Sequence, residues 1–306
     1  MIAAIGIAVL DILLVMDGFK EGEGSFYCDE LIVEGGGMAA TALCAASKLG
    51  SRTRLFTRIG DDVQGRFILE ELHRFGVDTS GVMTVPGKPT TSSIVFVNSV
   101  AGEKQFYSQR EKPVFSDYLP LDCDLLEGAT VLLVDGHWIE GAREGVARAK
   151  SRGIPVVGDF KKMYTGLETI LEDIDYLIIP SFFAKELTGE TNPEVMLNKL
   201  SKLLPGIPVI TEGADGGSYL VNGELRRYRA FPVSCVDSTG AGDAFHGAFC
   251  HFLANGLNID NCLELASAVG ALNCRSIGGR QSLPSMDELK QFLKGGICEQ
   301  KKIAQK

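Results

Sequence analysis

The chain has 306 residues, 45% of them hydrophobic, with 36 glycines and a formal net charge of −9. That is enough apolar material for a large core, in one sizeable α/β domain or two smaller ones. The acidic balance and the lack of a Lys/Arg run argue against a nucleic-acid partner, and no run of about 18 uncharged apolar residues is present to span a membrane. The eight cysteines are scattered, without C-x-x-C or zinc spacing, and read as reduced packing residues of a cytoplasmic protein.

In chain order, the apolar run 1–16 lacks a basic leader and carries Asp11 in its middle. It therefore reads as a buried first strand over 3–9 and not as a signal peptide. Residues 38–48 are expected to form an Ala-rich helix stopped by Gly50, 54–59 a strand, and 67–75 a helix closed by Gly76. Short apolar strands follow at 131–135, 156–159, 176–180 and 209–211, separated by helix-length segments such as 140–151, 166–172 and 195–203. A β-prone run at 231–236 leads into a helix over 244–255, with Gly256 as its stop. The alternation predicts βαβ units, hence an α/β fold with a mostly parallel central sheet covered by helices on both faces. No internal repeat or low-complexity linker divides the chain, so one domain over 1–306 is expected. Two segments, about 12–34 and 85–114, break the rhythm with β-rich stretches (93–98, 104–108) and no helix pattern. A small separate sheet is expected there, as surface excursions or as a lid.

The string Asp237-Ser238-Thr239-Gly240-Ala241-Gly242-Asp243 carries the most chemistry. Glycines at a helix start leave N–H groups aligned with the positive end of the helix dipole, a place suited to an anion. Asp243 would repel an anion that is merely bound; as a base taking the proton of an attacking hydroxyl it has a purpose. That is the layout of phosphoryl transfer to an alcohol. The plain alternative is a Gly-rich helix entry with an acidic first turn. In an open parallel sheet, ligands bind beyond the carboxyl ends of the strands. Asp11, Gly35, Gly36, Gly37, Asp135, Asp159, Thr211 and Asp243 all fall at such expected ends. Asp11, inside an apolar run, is expected to be buried, satisfied either by a sugar diol or by backbone N–H groups.

The same string matches D-[ST]-x-G-A-G-D, and the chain resembles the PfkB, or ribokinase-like, family of carbohydrate kinases. A second family signature has its counterpart in Gly35-Gly36-Gly37-Met38-Ala39-Ala40-Thr41 through Lys48-Leu49-Gly50, about 200 residues upstream. Arg58-Ile59-Gly60-Asp61-Asp62 and Thr211-Glu212-Gly213-Ala214-Asp215-Gly216 are further landmarks. The resemblance spans nearly the whole chain. It implies a ribokinase-like fold with a small β lid that in some members makes a homodimer contact. It also implies an ATP-dependent kinase acting on a small carbohydrate. Asp243 would then be the base, with Gly240, Ala241 and Gly242 as the anion hole. Asp11, Gly35, Gly36, Gly37, Thr41 and His137 would border the sugar. Thr211, Gly213 and Gly216 would meet the nucleotide phosphates, and Asn273 and Gly279 would border the adenine. Asp237 and Thr239 would contribute to the monovalent-cation site, for K+, that some members have.

Some positions depart from the family pattern. Where many members carry N-x-x-E to order water around magnesium, this chain has Pro180 and Phe183, so Mg2+ is expected to lean on phosphates and water. Ketohexokinase-like members also lack the pair. The strings at 35–41, 245–248 and 274–280 are similar to those of 6-deoxy-6-sulfofructose kinase, although its sulfonate-contacting Arg is replaced by His137 and its lid Asn by Ser108, with Arg110 nearby. In ribokinase itself an Asn stands at Thr41 and a Lys at Met38, so its sugar specificity does not carry over. A ketohexose or a related sugar is the expected substrate. His246 reads as a packed helix residue. No Walker A string is present, and the first strand leads into no G-x-G-x-x-G. A nucleoside kinase of the same superfamily and a non-catalytic sugar or nucleotide sensor are the alternatives.

Overall fold

The computed structural model describes residues 1–101, 103–109, 113–115, 120–121 and 126–303, with side chains for all of these except 113 and 296–303. Arg110 lies outside the described residues. In chain order the strands are β1 (Ile2–Ile5), β2 (Val9–Met16), β3 (Glu30–Gly36), β4 (Thr53–Gly60), β5 (Val77–Val85), β6 (Ser92–Asn98) and β7 (Lys104–Ser108). They continue as β8 (Val131–Asp135), β9 (Val156–Asp159), β10 (Tyr176–Pro180), β11 (Ile207–Thr211), β12 (Gly217–Val221) and β13 (Glu224–Tyr228). The helices are α1 (Met38–Lys48), α2 (Val63–Arg74), α3 (Ile139–Ser151), α4 (Ser181–Thr188), α5 (Pro193–Leu203), α6 (Ala241–Ala254), α7 (Ile259–Asn273) and α8 (Met286–Ile303).

Seven parallel strands, β11-β10-β9-β8-β1-β4-β5, form the large sheet, and the antiparallel hairpin β12-β13 extends its β11 edge. The central strands are apolar on both faces because both are covered. In β1, Ile2 and Ala4 pack into the core beneath α1, α6 and α7, while Ala3 and Ile5 pack into the opposite core with α3, α4 and α5. This is the mostly parallel, doubly covered α/β sheet expected from the alternation of elements, and it agrees with the ribokinase-like fold that the resemblance implies.

The single first strand expected over 3–9 is in fact two. The chain leaves the large sheet at Gly6 and enters the small one at Val9. Asp135 causes the break: its Oδ2 accepts from the Ile7 N–H at 2.8 Å, and a Cβ on Gly6 would stand 2.1 Å from the same oxygen. Asp11 consequently sits within β2 of the small sheet, not at the carboxyl end of a parallel strand. The segment 166–172 forms two short 3-10 turns, Leu167–Thr169 and Leu171–Asp173, because it starts at left-handed Gly166 without a side-chain cap and is interrupted at Ile170 (φ −122°). The β-prone run 231–236 is not a strand: Pro232 has no N–H to give a ladder, and the Val236 and Asp237 amides both turn to Cys274 O at 2.8 and 3.2 Å.

The small sheet, ordered β3-β2-β6-β7, is built from the two segments that broke the rhythm. Its register assigns two faces, since paired residues share a side and neighbours alternate. Asp11, Leu13 and Val15 share one side with Ser93, Val95, Val97 and Lys104. Leu13, Val15, Val95 and Val97 form a core there with Ile277 from the loop after α7. The opposite side carries Ile12, Leu14, Leu31, Val33, Ile94, Phe96 and Tyr107.

Candidate active site

Helix α6 begins at Gly240, whose φ of 70° is left-handed and carries no side-chain cap. The Ala241 N–H goes to Ser238 O and that of Ala244 to Gly240 O. The Gly242 and Asp243 amides thus belong to the first turn, where a helix has no partner of its own to offer, and space over Gly242 is open to at least 4 Å. Asp243 is 8% exposed, and its Oδ1 accepts from Lys161 Nζ at 2.9 Å. Lys161 follows β9. Burial works against its ammonium, but the carboxylates of Asp243 and Asp159 outweigh that and hold its pKa above the usual lysine value.

Beneath this pair lies Asp159, whose two oxygens are fully buried without a hydrogen bond. Burial pushes its carboxyl up to about 6, with His246 and Lys161 pulling down and Asp243 and Asp135 pushing up. His246 Nδ1 stands 3.4 Å from Asp159 Oδ2 and 2.7 Å from Gly242 O, while Nε2 is 3.1 Å from Ile178 O. Both ring nitrogens face carbonyl oxygens, which only accept, so whichever nitrogen carries a proton donates. His246 is a packed helix residue that ties the first turn of α6 to β10.

Asp11 faces the same gap from the small sheet. Burial raises its pKa to about 6; Ser93 and Arg280 lower it, whereas Asp243 and Glu71 raise it. The Asp243 charge therefore reaches Asp11 across the gap. Gly35 and Gly36 let the backbone lie against charged groups: a Cβ would fall 2.0 Å from Glu71 Oε2 at Gly35 and 1.8 Å from Asp11 Oδ2 at Gly36. Gly37 makes the turn into α1 with φ 95°. Arg280, 2% exposed, holds this corner. Its Nη1 donates to Glu71 Oε2 (2.8 Å), Nη2 to Gly36 O (2.8 Å) and Nε to Thr41 Oγ1 (3.1 Å). The Thr41 hydroxyl, 2% exposed, is thus turned to Arg280. Asp135 takes four donors, from the Ile7 and Ala39 amides on Oδ2 and from the His137 amide and Nδ1 on Oδ1. His137 presents its remaining ring edge beside Tyr164, 4.9 Å between centroids.

On the other side of α6 lies a cavity of about 580 Å³ lined by Thr211, Gly213, Gly216, Tyr228, Phe231, Ala241, Gly242, Phe245 and Ala271 among others. Its wall is mostly apolar, as a planar heterocycle requires. Asn273 and Gly279 do not line it. Asn273 is fully buried, donating to Thr239 O at 3.3 Å and Gly279 O at 2.9 Å, so it clips two loops together. The Gly279 N–H donates to Glu34 Oε1 at 2.5 Å. Beside the anion-hole loop, Asp237 Oδ1 accepts from the Thr239 N–H and Oδ2 from the Gly278 N–H, each at 2.8 Å. Lys104, reaching from β7, places its ammonium on Asp237 Oδ1, 2.8 Å from Thr239 Oγ1 and 3.3 Å from Ser238 Oγ.

Residues 1–286 match the model of the pfkB family carbohydrate kinases. The chain belongs to this family. Among its relatives, a 5-dehydro-2-deoxygluconokinase of Shouchella clausii is 25% identical over 280 residues (84% of this chain, 86% of the relative). The ribokinase of Bacillus subtilis is 25% identical over 295 residues, 95% of this chain and 99% of its own. Among solved structures, a candidate ribokinase from Agrobacterium tumefaciens has a TM-score of 0.91 at 26% identity, covering 97% of this chain and 98% of that one. A candidate ribokinase II from Escherichia coli, in complex with ATP and Mg2+, has a TM-score of 0.83 at 22% identity, covering 96% and 98%. The relatives are phosphotransferases with an alcohol acceptor, and this pfkB kinase is an enzyme of that class.

The pfkB kinase offers magnesium little. Phe183 is 1% exposed in the core and Pro180 closes β10. Glu212 is taken up by Arg227 (3.6 Å) and Ser218 (3.4 Å). Among the described residues, no group of three or more His, Cys, Asp or Glu is placed to hold a metal ion, so the side chains present do not form a protein cradle for Mg2+. Three residues given no role in the sequence, Lys104, Lys161 and Glu34, prove central to the charge pattern, and Arg280 of the 274–280 string is turned to Glu71, Gly36 and Thr41. For Lys161 a signal existed: it stands two positions past Asp159 at a carboxyl end of the parallel sheet.

Glu34 is a further buried acid with an unsatisfied oxygen. It is 2% exposed, Oε2 has no partner, and burial raises its pKa to about 7 against the opposing pull of the Gly279 amide and Arg280. An unfolded glutamate titrates near 4.5. Between these values the folded state binds the extra proton, so this group makes stability fall as pH rises, with the full penalty present above about 7. Glu34→Gln should accordingly raise Tm relative to the parent by a few degrees more at pH 8 than at pH 5. An equal change at both pH values would remove Glu34 from the pH dependence.

Proposed function

We propose that this pfkB kinase transfers the γ-phosphoryl group of ATP to a hydroxyl of a small carbohydrate, with Asp243 as general base. The observation that carries the reading is the position of Asp243: on the uncapped first turn of α6, 8% exposed and paired with Lys161 at 2.9 Å. ATP with Mg2+, the pair present in the Escherichia coli neighbour, would set its base in the apolar cavity, with the α6 N-terminus to hold its phosphates. The ion would come with the nucleotide, held by phosphates and water.

The chain's own residues then divide the work. Asp11 accepts hydrogen bonds from sugar hydroxyls and fixes the acceptor, a gain in proximity and orientation. Asp243 takes the proton of the attacking hydroxyl, while the Gly242 and Asp243 amides and the Lys161 ammonium offset charge on the transferring group. Lys161 also holds the Asp243 carboxyl in place through their ion pair at 2.9 Å. The preference for a ketohexose or related sugar rests on the strings at 35–41, 245–248 and 274–280. A panel of ketohexoses, pentoses, 2-keto-3-deoxy acids and nucleosides in an ADP-release assay tests it; turnover of nucleosides alone would make the enzyme a nucleoside kinase. The scattered cysteines, with Cys44, Cys250 and Cys262 buried as packing residues, suit a cytoplasmic setting.

We also propose that the small sheet is a lid and a homodimer contact. Its outer face exposes Leu31 (59%), Val33 (41%), Ile94 (41%) and Tyr107 (60%) side by side, an apolar surface of the kind partners cover. Ile94→Glu should convert a dimer to a monomer in sedimentation velocity; a monomeric parent at all concentrations would refute the contact.

Asp243→Asn should leave ATP and sugar affinity within a few fold and lower kcat by about 10² or more, the usual worth of a general base. Near-normal turnover would take Asp243 out of the mechanism. With the Asp11 carboxyl raised to about 6 by burial, kcat/KM for the sugar should fall toward tenfold per pH unit on the acid side of that value, because the protonated group loses acceptor capacity. Asp11→Asn should lower the plateau and abolish this limb. A parent profile flat down to pH 5 would contradict the role.

A further inference from the structure

The Asp237–Thr239 place is where the family resemblance puts a monovalent cation, and the residues present do not fit one. We infer that the Lys104 ammonium replaces a diffusible K+ at the anion-hole loop, so that this kinase is built to work without a monovalent ion. The match is one of chemistry. An ammonium has three N–H donors and no acceptor, and three oxygens receive it: Asp237 Oδ1, Thr239 Oγ1 and Ser238 Oγ. All three belong to the run that leads directly into Gly240. The Asp237 side chain is fully buried and that of Lys104 only 13% exposed, so the charge pair is shielded and a second cation at the same spot would meet repulsion with little screening.

The sheet register makes the reach systematic. Lys104 pairs with Val97, on the side of the small sheet that packs toward the loop after α7. Its side chain is aimed at the loop by the same alternation that aims Asp11 at the acceptor. Burial alone would raise the Asp237 carboxyl, but Lys104 together with the Gly278 and Thr239 amides holds it below the ordinary range. Lys104 touches no reacting atom in this arrangement; it is a positioning residue acting through Asp237 on the loop that ends at Asp243.

The test uses the full chain and a readout that does not require the substrate to be known. Thermal denaturation is followed in potassium, sodium and tetramethylammonium chloride at equal ionic strength, about 100 mM. The parent should melt at the same temperature in all three, within about 1 °C. Lys104→Ala should melt lower, and potassium should return about 2 °C or more relative to tetramethylammonium, because an opened oxygen site binds the ion only in the folded state. Lys104→Arg, which keeps the charge, should show no such selectivity, and it serves if the alanine variant does not fold. Potassium-specific stabilisation of the parent, or a folded Lys104→Ala indifferent to the salt, would overturn the inference. Once an accepted sugar is in hand, kcat of the parent should be unchanged between potassium and tetramethylammonium, and potassium should restore part of the kcat lost in Lys104→Ala. The activity arm rests on the proposed kinase reaction; the melting arm does not, so the two readings fail separately.

Discussion

Burying charge is the constraint to which the rest of the site answers. Glu34, Glu71, Asp135, Asp159, Asp237 and Asp243 are all buried near the carboxyl ends of the large sheet, and a carboxylate without a partner there costs several kcal/mol. Each is met differently. Backbone and His137 donors surround Asp135, Arg280 serves Glu71, Lys161 serves Asp243, His246 stands against Asp159 and Lys104 against Asp237. Glu34 receives one amide on Oε1 and has no partner on Oε2, and its carboxyl responds by holding its proton more tightly. Because these partners come from β7, the segment after β9, α6 and the segment after α7, satisfying the charges also assembles the two sheets around one gap.

The charge pattern divides that gap by substrate chemistry. The side formed by β2, Gly35 to Gly37 and Arg280 is rich in carboxylates, which suit a neutral polyol because ionised acids accept its many hydroxyl hydrogens. The side formed by the start of α6 offers amides and Lys161, which suit phosphate. Beyond it the cavity turns apolar. In the proposed reaction two substrates of unlike charge would thereby be kept apart without a wall, with Asp243 at the boundary.

Much of this was legible in the sequence. Strands β8, β9 and β10 and helix α1 fall where apolar periodicity and the stop signals put them, since each is a local pattern. The hairpin β12-β13 was also legible in principle: Asn222-Gly223, with φ of 52° and 79°, is the turn pair that a two-residue hairpin favours. The division of the first apolar run into β1 and β2 was not, because an acid 128 positions away bends the chain there. Distance in sequence likewise hid Lys104, 135 positions from Thr239, and Arg280, 244 from Gly36. The glycines at 35 and 36 announced a close approach, but what approaches them, Glu71 and Asp11, is visible only in three dimensions.

The small sheet uses every second residue of one strand for a different surface. Along β2, Asp11, Leu13 and Val15 turn inward, while Ile12 and Leu14 belong to the apolar outer side. Slipping this strand by one position would exchange the two sets wholesale: an isoleucine would arrive in the acid's place and a carboxylate would be set among exposed aliphatic side chains. Seven residue pairs on each side of β2, to β3 and to β6, hold it against that slip. Insertions within the strand are therefore far less tolerable than in the loop 17–28 beyond it. Recognition within the chain and contact outside it are locked to one another by nothing more than parity.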